Sequence, residues 1–412
     1  MRSSGYDKPV KTIGGNEALR DAFYKLKRDA APGVDGQTWQ DYAVELEQNL
    51  EDLGRRLRTG AYRAKPVRRV FIPKTDGSMR PLGVTALEDK LVQCATVAVL
   101  NAVYEPLFAG FSYGFRPGRS QHNALDALSV AIARKKVGWV LDADIRGFFD
   151  AINHDCLIRL IEQKIGDPRV VRLLQKWLKA GVLEDKVWRD AECGTPQGGC
   201  VSPVLANIYL HHAYDCWAQR WRKETAKGDV ILVRYADDAV AGFQSLAEAR
   251  RFLDELKENF AQYALELHPD KTRILEFGRF AADNRKKRGE RRPETFDFLG
   301  FTHICGKSRA GKLQLQRHTS RKRLARKLKE ISKELRTRMH QPIPEVGRWL
   351  GSVVRGHIQY FGVPLNFRAL ATFHHQAKRL WRWTLNRRSQ KSAVTWERMD
   401  RLVSKWLPRP KI

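Results

Sequence analysis

From residue 230 to 243 the chain reads Val-Ile-Leu-Val-Arg-Tyr-Ala-Asp-Asp-Ala-Val-Ala-Gly-Phe. So many branched and aromatic residues favour strand, and the adjacent acids Asp237 and Asp238 interrupt the run at its middle. A two-residue turn would make it an antiparallel hairpin with both acids at the tip. A second stretch, 138–145, has the same character. In Trp139-Val140-Leu141-Asp142-Ala143-Asp144-Ile145, strand alternation puts Val140, Asp142 and Asp144 on one face. Carboxylates on apolar strands are costly unless positive charge sits among them. Two Mg2+ ions meet that need: in phosphoryl-transfer sites such ions lie about 3.5–4 Å apart, and hard cations prefer carboxylate oxygen. Taken singly, each site has a plainer reading. Asp is common in turns, and Asp144 precedes a helical stretch that it could cap.

The rest of the chain reads as an α+β body followed by basic helices. Residues 67–73 and 80–84 suggest a hairpin around Thr75-Asp76-Gly77-Ser78. Helices are expected over 87–107, 120–135, 202–222 and 245–264, and a short strand over 296–303. Beyond Gln316 the pattern turns helical, with Leu324, Leu328, Ile331 and Leu335 on one face, and further helices near 345–360 and 367–386. Charge divides the chain in the same place. Residues 1–278 hold 41 Lys and Arg against 37 Asp and Glu, whereas residues 279–412 hold 34 against 9. Trp349, Trp381, Trp383, Trp396 and Trp406 lie in the basic part, so it has apolar anchors to fold and charge suited to a polyanion. No apolar run is long enough to span a membrane, and the first residues contain no secretory leader. The six cysteines form no CxxC pair, which argues against a zinc site and for a reducing, cytoplasmic setting.

Ordered blocks of sequence then become specific. Ala31-Pro32-Gly33-Val34-Asp35-Gly36, Ser112 to Ser120 (SYGFRPGRS), Asp144 to Asp155 (DIRGFFDAINHD), Gly194 to Pro203 (GTPQGGCVSP), Tyr235-Ala236-Asp237-Asp238 and Phe298-Leu299-Gly300-Phe301 follow one another. Together they resemble the reverse transcriptases encoded by group II introns, over about residues 30–365. Arg355-Gly356-His357-Ile358-Gln359-Tyr360-Phe361 resembles a segment of the maturase "X" domain of those proteins, with His357 in place of the usual Trp.

The resemblance implies a right-hand polymerase: an N-terminal extension and fingers over 1–135, a palm with an antiparallel sheet over 136–315 (with a helical fingers insertion at about 153–190), and an α-helical thumb/X domain over 316–412. It implies Asp144, Asp237 and Asp238 as catalytic metal ligands for two Mg2+ ions, with the Ile145 carbonyl assisting and Asp142 at most behind them. Lys74 and Arg80 would bind the triphosphate. Phe149 would exclude a ribose 2′-hydroxyl; its plainer reading is a core aromatic. Gln197 would contact nucleotide and template, and Lys271 would lie near the palm site, against the alternative of a solvated lysine. The implied partners are group II intron RNA, an RNA template with a DNA primer, and dNTPs, with no membrane, in a monomer or dimer in the prokaryotic cytosol or nucleoid. The lack of a terminal Cys-pair or His-Asn-His pattern implies the lineage without an endonuclease domain. Two alternatives stay open: a reverse transcriptase of a defence or other retroelement system, and a splicing-only RNA-binding maturase.

Overall fold

The structure, a computed structural model, describes residues 12–73, 79–184, 187–189, 194, 198–290, 292–308, 311, 313–388 and 393–412. Its internal contacts divide the chain into two units. One comprises residues up to 128 together with 139–274; the other comprises 129–138 together with 275–412.

Strands β1 (Val67–Pro73), β2 (Met79–Val84), β3 (Trp139–Ala143), β4 (Val182–Glu184), β5 (Val187–Arg189), β6 (Val230–Tyr235), β7 (Asp238–Phe243) and β8 (Arg273–Glu276) form two sheets, in the orders β2-β1-β4-β5 and β6-β7-β3-β8. β1 and β2 make the expected hairpin, with Ile72 opposite Arg80. In the second sheet β7 lies antiparallel to both β6 and β3. Its apolar residues Leu141, Leu232, Ala241 and Phe243 enter a core shared with Phe252, Leu256 and Phe260 of the helix Leu246–Ala261. That helix begins at Ser245, whose hydroxyl accepts from the Glu248 amide, so its start is set locally.

The helix expected over 202–222 is not uniform. An α-helix Ser202–Leu210 passes into a π-helical turn, His211–Cys216, and then into the helix Trp217–Glu224. Periodicity could not reveal that wider turn, which carries the fully buried Asp215.

In the second unit, 296–303 is two strands rather than one. Leu299 (φ 50°) and Gly300 (φ 81°) turn the chain between β9 (Phe296–Phe298) and β10 (Phe301–Lys307), setting Phe301 opposite Phe298. β10 also pairs with β11 (Leu313–Thr319), so helix begins at Arg321 and not directly after Gln316. Helices Arg321–Thr337, Ile343–Phe361, Phe367–Asn386 and Trp396–Trp406 follow. The Leu324 face packs inward as its spacing requires: Ile331 and Leu335 join Leu350, Val354, Phe373 and Trp381, with Leu324 and Leu328 against them. Among the described residues no helix is long and apolar enough to cross a membrane.

Candidate active site

The acids of the two apolar stretches lie on neighbouring strands. β3 pairs with β7 so that Asp142 faces Val240 and Ala143 faces Ala239. The paired register ends there, with Asp144 the first residue after β3 and Asp238 the first residue of β7. Across the hairpin, Tyr235 pairs with Asp238, so the turn residues are Ala236 and Asp237. The tip therefore carries one acid, Asp237, and Asp238 opens β7; Ala236 takes the left-handed conformation (φ 56°) that closes so short a turn.

Asp144 is clasped by residues 268–272, the segment that leads into β8. The His268 amide donates to the Asp144 carbonyl at 2.8 Å, and the Thr272 hydroxyl lies 3.3 Å from both the amide and the carbonyl of Asp144. Lys271 Nζ sits 3.2 Å from Asp144 Oδ2, with the carboxylate about one-third exposed. Lys271 is thus an ion-pair partner of Asp144, its side chain still 61% exposed. Asp142 lies 3.8 Å from Arg273 in the same way. The Ile145 side chain is buried, and its backbone bridges to Leu267.

Phe149 follows in a one-turn helix, Phe148–Ala151, entered through Gly147 (φ 54°). Phe148 is the core aromatic. Phe149 is half-buried, its ring 5.4 Å from that of Phe148 and edge-on to it. Gly194 donates its amide to the Ile152 carbonyl, joining two of the sequence blocks. Gly198 (φ 118°) packs against Gly83 so closely that a Cβ would lie 2.3 Å from the Gly83 oxygen. Gln197 and Lys74 lie outside the described residues, as does the Arg80 side chain.

Of the residues that secure the hairpin, Ser112 and Gly114 lie in the SYGFRPGRS block, whereas Arg234 and Asp215 do not stand out in the sequence reading. Arg234, within β6, is 1% exposed. Its Nε and Nη2 grip Asp215 at 2.7 and 2.5 Å. Nη2 also donates to Ser112 Oγ (2.8 Å), and Nη1 donates to Asn207 Oδ1 (3.1 Å) and to the Ala236 carbonyl (2.8 Å). The Arg234 backbone pairs with Phe111 and Tyr113. Asn207 Nδ2 holds the Gly114 carbonyl at 2.7 Å, and Gly114 abuts the hairpin: a Cβ there would lie 2.3 Å from the Ala236 nitrogen. One guanidinium thereby joins the SYGFRPG block, the Leu205-Ala206-Asn207 segment and the acid-bearing turn. The signal was present, since a charge in an apolar strand marks Arg234 as it marks the aspartates.

The donor set suits a hard divalent cation, being carboxylate and carbonyl oxygen. Among the described residues no three acid, His or Cys side chains already form a metal cage. Mg2+ does not require one, because it is commonly held by one or two carboxylates plus waters and substrate phosphates. The positive charge beside Asp144 is here that of Lys271.

Residues 72–303, more than half the chain, match the family described as reverse transcriptase (RNA-dependent DNA polymerase), and residues 321–403 match the group II intron, maturase-specific domain. The chain is 33% identical to Protein YkfC of Escherichia coli over 316 residues, covering 69% of this chain and 78% of that protein. It is 44% identical over 190 residues to Group II intron-encoded protein LtrA of Lactococcus lactis, covering 46% of this chain but only 31% of LtrA. A similar match, 44% over 193 residues, joins 46% of this chain to 23% of an uncharacterized 91 kDa protein in the cob intron of Schizosaccharomyces pombe. The chain belongs to the reverse transcriptases, in the group II intron-encoded branch that carries the maturase-specific domain.

Proposed function

We propose that this chain copies RNA into DNA at the carboxylates of Asp144, Asp237 and Asp238, and that its basic C-terminal helices bind the group II intron RNA to assist splicing. The supporting observation is the register that brings acids from two separate segments to adjacent strand ends. In this reading residues 1–135 act as fingers, 136–315 as palm and 316–412 as thumb and X domain. The chain works in the cytosol on an RNA template, a DNA primer and dNTPs.

Asp144, Asp237 and Asp238, with the Ile145 carbonyl, would hold two Mg2+ ions. When bound, such ions would supply a lowered pKa at the primer 3′-hydroxyl and countercharge for the departing pyrophosphate. The protein's own contribution is placement. Thr272 and His268 fix the Asp144 backbone, and Lys271 holds its carboxylate until a substrate arrives. Lys74 and Arg80 meet the triphosphate as paired cations. Gln197, beside close-packed Gly198, contacts the nucleotide and template, and the Phe149 ring bars a ribose 2′-hydroxyl.

Primer extension on an RNA template tests this reading. Asp237→Ala should lower the rate by about a thousandfold or more, since several kcal/mol of transition-state stabilisation are lost. An Asp237→Ala chain extending primers at the wild-type rate would overturn the assignment. Intron RNA splicing measured with the same variant shows whether the two activities separate.

A further inference from the structure

The helix Leu87–Tyr104 turns one face toward the Gly194–Pro203 block. Lys90, Gln93 and Cys94 stand three and four residues apart on it, so their side chains are neighbours. Gln93 Oε1 accepts from the Cys200 amide at 2.9 Å, and a Cβ on Gly199 would lie 3.1 Å from the same oxygen. These contacts bring Cys200 against the helical turn that carries Cys94, and the two thiols hydrogen-bond each other. Both cysteines are partly exposed, so a small solute can reach the pair. The two sulfurs are not equivalent. The Cys94 thiol donates to Cys200, and Lys90 adds positive charge, so the Cys200 pKa is lowered against the opposing effect of burial. The same hydrogen bond and burial raise that of Cys94. Cys200 is therefore the nucleophile of the pair and Cys94 keeps its proton. Burial raises the thiols of Cys216 and Cys305, which have no such partner among the described residues.

We propose that Cys94 and Cys200 are a redox-modification site, which a hydroperoxide converts to a disulfide that slows nucleotide addition. The effect on synthesis rests on the polymerase reading above. With hydrogen peroxide, the Cys200 thiolate attacks one oxygen, the O–O bond breaks, and Cys200 becomes a sulfenic acid. The departing hydroxide takes up the proton first lost from Cys200 and leaves as water. The Cys94 sulfur then attacks the sulfenic sulfur, the S–O bond breaks, and the hydroxyl leaves with the Cys94 proton as a second water. Two thiols are thereby oxidised by two electrons while one peroxide is reduced. In a reducing compartment such a bond is transient, as suits a sensor. Its reach to the site follows from packing. A disulfide holds its sulfurs closer than a hydrogen bond does. The helix is fixed in the core through Leu91, Val92 and Leu100, so the block is the side that shifts. Gly198 already stands against the Gly83 carbonyl of β2 and has no slack to absorb that shift. Drawing Cys200 toward the helix thus displaces the residues around Gln197, which the reading above sets at the nucleotide.

The full chain is treated with hydrogen peroxide, desalted, alkylated and digested to map joined cysteines by mass spectrometry. Primer extension is measured before treatment, after it, and again after dithiothreitol, with Cys94→Ala and Cys94→Ser run alongside. The expected product is a peptide pair joined through Cys94 and Cys200. Extension by wild type should fall about tenfold, within the roughly hundredfold that an ångström of misplacement can cost. The fall should appear chiefly as a higher KM for dNTP, and dithiothreitol should reverse it. Neither variant should show a loss that dithiothreitol recovers. The inference is overturned if peroxide joins no Cys94–Cys200 pair, or if the joined chain extends primers within twofold of the reduced chain. It is equally overturned if a variant that melts like wild type shows the same recoverable loss. The linkage is read chemically, so a reduced wild-type chain that extends nothing would sink the polymerase reading while the thiol pair is still measured.

Discussion

His357 shows how one residue can set an acid limit on a whole unit. Its ring stacks on Phe373 at a centroid distance of 3.6 Å, and Nε2 has no partner. Burial, reinforced by Lys327, pushes its pKa down to about 4, and burial with Arg317 nearby does the same to His303. Both values lie below the unfolded value of about 6.5, so folding favours the neutral ring. That stability is fully present above pH 6.5 and is lost as pH falls towards 4, by up to roughly 3 kcal/mol for each group. His357→Phe should therefore raise the melting temperature more at pH 5 than at pH 8; equal shifts at both would show that the imidazole does not titrate on unfolding. Phe149 bears on function. With Phe148 taking the core position, Phe149→Val should raise ribonucleotide incorporation roughly tenfold or more, and unchanged sugar selectivity in single-nucleotide extension would return Phe149 to a packing role.

Among elements, the β6–β7 hairpin depends on residues far from it in sequence. Gly114 meets backbone atoms of Tyr235 and Ala236 at distances that no side chain could accept. Gly114→Ala must therefore displace the turn, and about an ångström of misplacement can cost on the order of a hundredfold in rate. Primer extension near the wild-type rate in that variant would show that the turn is not what Gly114 positions. The hairpin itself was legible, because two β-forming runs around paired acids leave few alternatives. The buttress behind it was not. Helical periodicity over 202–222 cannot register a π turn, and nothing local pairs Asp215 with Arg234. The Leu299-Gly300 turn is hidden in the sequence because a two-residue turn between Phe298 and Phe301 preserves alternation on either side. β11, reading Leu-Gln-Leu-Gln-Arg-His-Thr, is a half-polar strand whose pairing with β10 is a tertiary fact.

For the whole molecule, the cationic excess of residues 279–412 predicts salt-dependent RNA binding. Each phosphate neutralised adds about −0.7 to −0.9 to the slope of log affinity against log salt, and six or more such contacts would cost about a thousandfold between 50 and 200 mM. A nearly flat titration with intron RNA would deny those helices their proposed role. The chain does not, however, complete one unit before starting the other. Residues 129–138 leave the first unit, join the second and return. There the Phe277 amide donates to the Gly138 carbonyl, Arg279 reaches the Ala133 carbonyl, and Gly278 leaves no room for a side chain against Val137. A C-terminal fragment beginning near residue 275 would lack an interior piece of its own unit, residues 129–138. Polymerase and maturase roles are thus better dissected by point substitution than by scissors, and the second unit could not be inherited, lost or exchanged as a free-standing cassette without carrying ten residues set in the middle of its neighbour.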